Sequence, residues 1–260
     1  GYTPGSIRTF IDKVGLTKVD SVIDMSLLEF YIREELNKEA DRVMVVLNPL
    51  KVVITNWPAD KVEDFEVENN PEKPERGSRT MPFSRELYIE RTDFLEDAPR
   101  KFFRLAPGRE VRCKGAFAIR CEDVVKDPET GEVRELHCTY DPDTRSGADV
   151  SGRKIKGTIH WVSAAQALDV EVRQYDRLFS VEDPVAQAKK EEKDFLDYFN
   201  PDSLQVIAAA KAEPGLKGMA VADRVQFMRK GYFNVDIASS PDKLVFNQIV
   251  GLRDSWAKRK

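Results

Sequence analysis

The hydrophobic period of this chain changes near Asp41, and that change most restricts its fold. Before Asp41, apolar residues recur every three or four positions, as in helices buried on one face. Thr3 reads as an N-cap with Pro4 at the first helical position. Ile7, Phe10, Ile11 and Val14 share a face, and Gly15 ends the helix. Ser26 and Glu29 have capping-box spacing, and Leu28, Tyr31, Ile32 and Leu36 mark the buried face of a second helix. Two such helices, at about 40 residues, are too few to be stable alone. After Asp41 the pattern becomes strand-like. Residues 42–47 and 51–56 are β-rich runs divided by Asn48-Pro49. Further short strands are expected at 85–90, 122–126, 133–140, 155–162, 203–208, 224–236 (around a Lys230-Gly231 turn) and 244–252. Residues 69–77, 127–131 and 141–147 read as loops or turns. Residues 184–199 read as one helix, with Lys189, Lys190, Glu191, Glu192 and Lys193 in solvent. Many short strands at short spacing suggest barrels.

Length and composition fit such a fold. The 260 residues suffice for one large or two small domains, and 33% charged residues give a well-solvated surface. No apolar run reaches the length of a membrane span, and no signal peptide is visible, so no membrane partner is expected. Cys113, Cys121 and Cys138 form no C-x-x-C pair, which favours small buried hydrophobes, a reducing cytoplasmic setting and no metal site. The net charge of −4 argues against indiscriminate nucleic-acid binding. Yet Arg100, Lys101, Arg104, Arg109, Arg112, Lys114 and Arg120 form a basic island interrupted only by Glu110. A local cationic face on an acidic chain suits selective contact with phosphates or bases.

No catalytic constellation is visible. Asp141, Asp143 and Asp149 read as turn caps. His160 reads as a hydrogen-bonded structural histidine, Trp161 and Trp256 as core or interface anchors, and Arg109 and Arg120 as outward, solvated side chains.

Three strings give more specific information. GRKIKG at 152–157 runs into GTIHWVSAAQALDVEVRQYDRLF at 157–179; VGLRDSWAK occupies 250–258; Gly1-Tyr-Thr opens the chain. Together they resemble the C-terminal, anticodon-binding half of the glutaminyl-tRNA synthetase family, over essentially the whole length. The HIGH-type and KMSKS-type motifs that bind ATP in class I synthetases are absent, and the first residue is Gly. The chain therefore reads as an excised, inactive part of an enzyme. The resemblance implies a mainly β fold: a helical connecting subdomain (1–40), a proximal β-barrel (41–92 plus 173–260) and a distal β-barrel (93–172). It implies a monomer that binds glutamine tRNA and not DNA, with ATP and Mg confined to a catalytic domain outside this chain. Two alternatives stay open: a glutamate-tRNA ligase of the archaeal and eukaryotic type, and a non-enzymatic RNA-binding barrel protein.

Anticodon bases are unpaired, so their edges are available to Arg and Gln side chains. Carried over residue by residue, the resemblance implies that Arg42 contacts the middle anticodon base and that Gln226 and Arg229 enclose it. It places Arg104 at the third base, Arg112 at the first, Lys18 near the inner corner of the tRNA and Asn37 at the bottom of the anticodon stem. Lys101 stands where the family often has glutamine, Phe103 where it has lysine, and Lys114 where it has arginine. Lys101 and Lys114 remain candidate contacts, although Lys114 lacks the fork of an arginine. Glu72 replaces an asparagine near the stem and would repel RNA.

Overall fold

A computed structural model describes residues 1–16, 18, 19 and 23–253; Trp256 and the end of the 250–258 string lie outside the described residues. The first helix, Pro4–Val14, is capped by Thr3, whose Oγ1 accepts the Ser6 N–H at 3.2 Å, and ends at Gly15 with φ 76°. The second, Met25–Glu39, starts two residues earlier than expected. Its N-cap is Asp24, not Ser26: the Asp24 carboxylate accepts the Ser26 N–H at 2.8 Å. A carboxylate at a helix N-terminus also complements the helix dipole, an advantage a serine lacks. Ile32, Leu36 and Ala40 pack against Tyr232 and Val250, so the helical pair is seated on a sheet. Ile7 and Ile11 stay exposed.

Two seven-stranded sheets follow. In the first, hydrogen-bonded order runs Asp41–Val43, Arg224–Phe227, Gly231–Val235, Leu244–Gly251, Leu168–Tyr175, Leu204–Ala212, Val45–Val46. Its two edges are halves of one segment, interrupted at Met44. The sheet therefore wraps nearly into a barrel, which removes the exposed edges of an open sheet. The Met44 N–H, free of the ladder, donates to Glu213 Oε2 at 2.7 Å, and Arg79 pairs with the same buried carboxylate. The second sheet closes by the same device. Its order is Thr158–Ile159, Glu110–Cys113, Ala118–Lys126, Val133–Asp141, Pro49–Ile54, Glu86–Glu90, Trp161–Ser163, and its edges are divided by His160.

Each barrel has its own core. Phe227 and Phe233 stack at 4.0 Å in the first, with Val43, Val172 and Phe246 around them. Trp57, Phe83, Phe117 and Trp161 fill the second with edge-to-face ring contacts, joined by all three cysteines, which are buried thiols. A ribbon of Glu63–Glu68 and Ser78–Phe83 adds Phe65, Val67, Met81 and Phe83 to that core.

Several expectations change. Pro49–Ile54 and Glu86–Glu90 pair with each other, and the former also with Val133–Asp141, so both belong to the second barrel. Leu168–Tyr175 lies wholly in the first. The chain thus changes sheets between Val46 and Pro49 and again between Ser163 and Leu168, not near Thr92 and Arg173. The single helix at 184–199 is instead Pro184–Glu191 followed by a 3-10 turn, Phe195–Tyr198. Glu192 adopts a left-handed conformation (φ 56°) that ends the first piece. The expected strand at 155–162 is reduced to two short halves on either side of His160.

Candidate nucleic-acid interface

A cleft of about 960 Å³ opens where the barrels meet. Arg42, Gln226, Met228 and Arg229 line it from the first barrel; Arg112, Lys114, Thr158 and His160 line it from the second. The convergence has a local cause. Asp41–Val43 pairs in parallel with Arg224–Phe227, and the register sets Arg42 opposite Gln226. Paired residues share a sheet face, so both side chains enter one space. Arg229 follows in the tight turn after Phe227, at φ 67°.

Arg42 reaches the cleft from a polar footing. Its Nη2 donates to Asn37 Oδ1 at 3.3 Å and lies 3.7 Å from Glu72 Oε1. Its Nε is buried without a hydrogen-bond partner, among the few such side-chain atoms in the described residues. Glu72, which would repel RNA, is directed to Arg42. Gln226 is 8% exposed and donates to Tyr232 Oη at 3.4 Å, and Tyr232 donates in turn to Asn37 at 3.4 Å. Asn37 therefore supports this group of residues from the second helix.

Arg229 is held from behind. Its two terminal nitrogens donate to both oxygens of Asp93, at 2.7 and 2.5 Å, and Nη1 also approaches His160 Nδ1 at 3.4 Å. Because Arg has no acceptor, Nδ1 must accept, which leaves the His160 proton on Nε2, 3.5 Å from Glu90 Oε1. Glu90 is 1% exposed, accepts the Leu47 N–H at 2.7 Å and pairs with Lys230 at 3.0 Å. Burial pushes its pKa up, but His160, Lys230 and the Leu47 N–H outweigh this and hold it at about 2.

Arg104 lines a separate cleft of about 430 Å³ with Arg100, Phe102, Phe103, Arg109, Lys154 and Lys156. Its Nε lies 3.3 Å from Asp93 Oδ1 and its Nη1 donates to the Thr92 carbonyl at 2.9 Å. Lys101 is exposed on the same loop. Phe103 is 51% exposed, with Lys156 Nζ 5.6 Å from its ring, so it is a surface ring and not core. Lys18 is exposed between the helices and lines neither cleft.

The basic island is thus less uniform than its sequence. Arg112 is bound to the Thr144 carbonyl and Asp149, and Arg120 lies 3.7 Å from Glu122. Arg109 is not an outward side chain: it donates to the carbonyls of Ala98, Pro99 and Phe102 and builds the loop that carries Lys101 to Arg104. Lys114 is exposed at the cleft. Three features escaped sequence reasoning. Asp93 is one. Arg145, over the Phe65 ring at 4.5 Å, is another. The third is the wall of Asp64, Glu66 and Glu68 opposite the cations. Only the alternation of acids with Phe65 and Val67 could have marked that ribbon.

Paired barrels with convergent Arg, Lys and Gln side chains have the form of the recognition region of a tRNA synthetase. Models of the class I (E and Q) tRNA synthetase anticodon-binding domain match residues 40–141 and 158–236, and the chain belongs to that family. It is similar to the glutamine–tRNA ligase of Rhodopirellula baltica, at 54% identity over 258 residues, covering 99% of this chain and 42% of that one. The glutamine–tRNA ligase of Clostridium perfringens is 50% identical over 257 residues, covering 98% and 46%. That of Pseudomonas putida is 50% identical over 257 residues, covering 98% and 44%. The chain spans under half the length of these relatives.

Proposed function

We propose that this chain reads the anticodon of glutamine tRNA on behalf of a glutamine–tRNA ligase. The ligase joins glutamine to that tRNA with ATP and Mg, at a catalytic domain that these residues do not supply. The observation that carries the reading is the convergence of Arg42, Gln226, Arg229, Arg112 and Lys114, from both barrels, on one cleft. An extruded base there meets guanidinium donors and the Gln226 amide, which can pair with a base edge through a donor and an acceptor together. Arg42 Nε, buried and without a partner, is a donor that an RNA oxygen or base would satisfy. Arg104 and its neighbours offer a second base position, and Lys18 and Asn37 contact the tRNA nearer the stem. The protein acts in the cytoplasm as a monomer.

Binding of glutamine tRNA, compared with the same tRNA altered at each anticodon position, tests the proposal. The native anticodon should bind most tightly. Gln226→Ala should weaken the native complex by about 1–3 kcal/mol and lose preference at the middle base. Equal affinity of the unmodified protein for all anticodons would refute the reading. The family also includes glutamate enzymes, but each relative described above is a glutamine–tRNA ligase, which favours glutamine. Charging assays of the full-length ligase with both amino acids separate the two.

A further inference from the structure

The carboxylate of Asp93 occupies an unusual position. It is 0% exposed, at the end of the 3-10 turn Arg91–Asp93, just after a strand of the second barrel. It holds Arg229 from the first barrel through two hydrogen bonds, at 2.7 and 2.5 Å. It also lies 3.3 Å from Arg104 Nε in the second. Arg229 lines the cleft between the barrels and Arg104 lines the neighbouring one. One buried anion therefore forms the back of two recognition pockets.

The donor geometry gives this arrangement a purpose. A guanidinium has five N–H groups in a rigid plane. Arg229 gives one N–H of each terminal nitrogen to Asp93 and also approaches His160 Nδ1 with Nη1, while Arg104 is ion-paired to Asp93 at Nε and gives one Nη1 hydrogen to Thr92. The donors left over lie in planes that Asp93 sets together with His160 for Arg229 and the Thr92 carbonyl for Arg104. Arginine side chains lose substantial rotamer freedom when they bind. Two arginines already fixed by one anion lose less, and each is fixed in an orientation that depends on the other.

We propose that Asp93 is a shared positioning residue for base recognition: it sets the reading planes of Arg229 and Arg104 and couples two anticodon positions. The inference rests on the anticodon-binding reading above. Asp93 contacts no base. It acts through the two arginines, and it does not touch Arg112, whose guanidinium is held by Thr144 and Asp149.

The test is binding of native and anticodon-altered tRNAs to the purified protein and to Asp93→Asn. Discrimination at the middle and third bases should fall by roughly tenfold each, within the range of single base-specific contacts. Discrimination at the first base should change by less than about threefold. Removing an anion beside two cations should also leave affinity for the altered tRNAs equal or higher. A merely structural role would instead lower affinity for every tRNA and erode all three positions alike; that pattern, or undiminished discrimination, overturns the proposal. Should Asp93→Asn fail to fold, the double-mutant cycle of Arg104→Ala and Arg229→Ala answers the same question. The two losses of discrimination should be non-additive by about fivefold or more, because the residues share a partner; additive losses refute the coupling. If the unmodified protein does not discriminate among anticodons, the functional reading itself has failed, and Asp93 is not then at issue.

Discussion

Glu90 concentrates the electrostatics of the barrel junction. It binds the Leu47 N–H where the chain leaves the first barrel, and Lys230 in the turn that follows Arg229. Its pKa of about 2 in the folded protein lies below the ordinary 4.5. Folding therefore favours the ionised form. The stabilisation is complete above about pH 4.5 and is lost as the pH falls toward 2, and it is on the order of 3 kcal/mol. Melting curves of the unmodified protein and Glu90→Gln should differ near neutral pH and converge between pH 4.5 and 2. A constant gap across that window would show that the carboxylate charge is not the cause. None of this was visible in the sequence, where Glu90 is one acid ending a short strand. Its partners Lys230 and His160 are brought to it only by the tertiary fold. Arg42, Gln226, Arg229 and Arg104 were legible by resemblance alone, since an arginine on a strand is most often a solvated one.

Loops between strands carry much of the site, and close backbone packing fixes one of them. Gly157 has φ +98°, and a Cβ at that position would overlap the Phe103 carbonyl. Its own carbonyl accepts the Arg112 N–H at 3.2 Å. The glycine thus lets two segments touch, one bearing Phe103 and Arg104 and the other leading to His160. Gly157→Ala should destabilise the fold by about 2–3 kcal/mol and displace the Arg104 loop. Thermal unfolding checks the first effect, and a loss of third-base preference larger than middle-base loss checks the second. An unchanged melting temperature would mean that the loop yields freely. Elements with a strong local signal were read correctly: the Thr3 cap and the turn at 127–131, where the Asp127 carboxylate accepts the Glu129 and Thr130 N–H groups. The hairpin turn expected at Lys230-Gly231 lies slightly earlier, at 228–230, with Gly231 opening the next strand. The ribbon of Glu63–Glu68 and Ser78–Phe83 was missed. Its first strand is mostly acidic and its second contains Pro82, a residue that usually marks a strand edge.

At the scale of the whole molecule, many cations among the described residues are already compensated. Arg112, Arg120, Arg145 and Arg153 all pair with carboxylates. Salt dependence of tRNA binding should therefore arise from a few exposed side chains. Lys101→Ala and Lys114→Ala should each reduce the log–log salt slope by about 0.7. Titrations at several salt concentrations measure this, and an unchanged slope would place both lysines away from phosphate. Two barrels and a helical prefix were readable from the change of period and the string at 152–179. Where one barrel ends was not. A strand's residues record that one face is buried, not which sheet buries it, and strands of both barrels alternate alike.

The nesting of one barrel inside the other sets an order of events on the ribosome. Every strand of the second barrel has been made once Trp161–Ser163 emerges, whereas Asp41–Val43 still lacks Arg224–Phe227. At ordinary elongation rates that interval is roughly 3 to 12 seconds. Throughout it, the inner barrel can be finished while the opening segment of the outer one waits as a bare edge. Nascent chains are thus most open to mispairing at residues that, in the completed protein, carry Arg42 into the cleft.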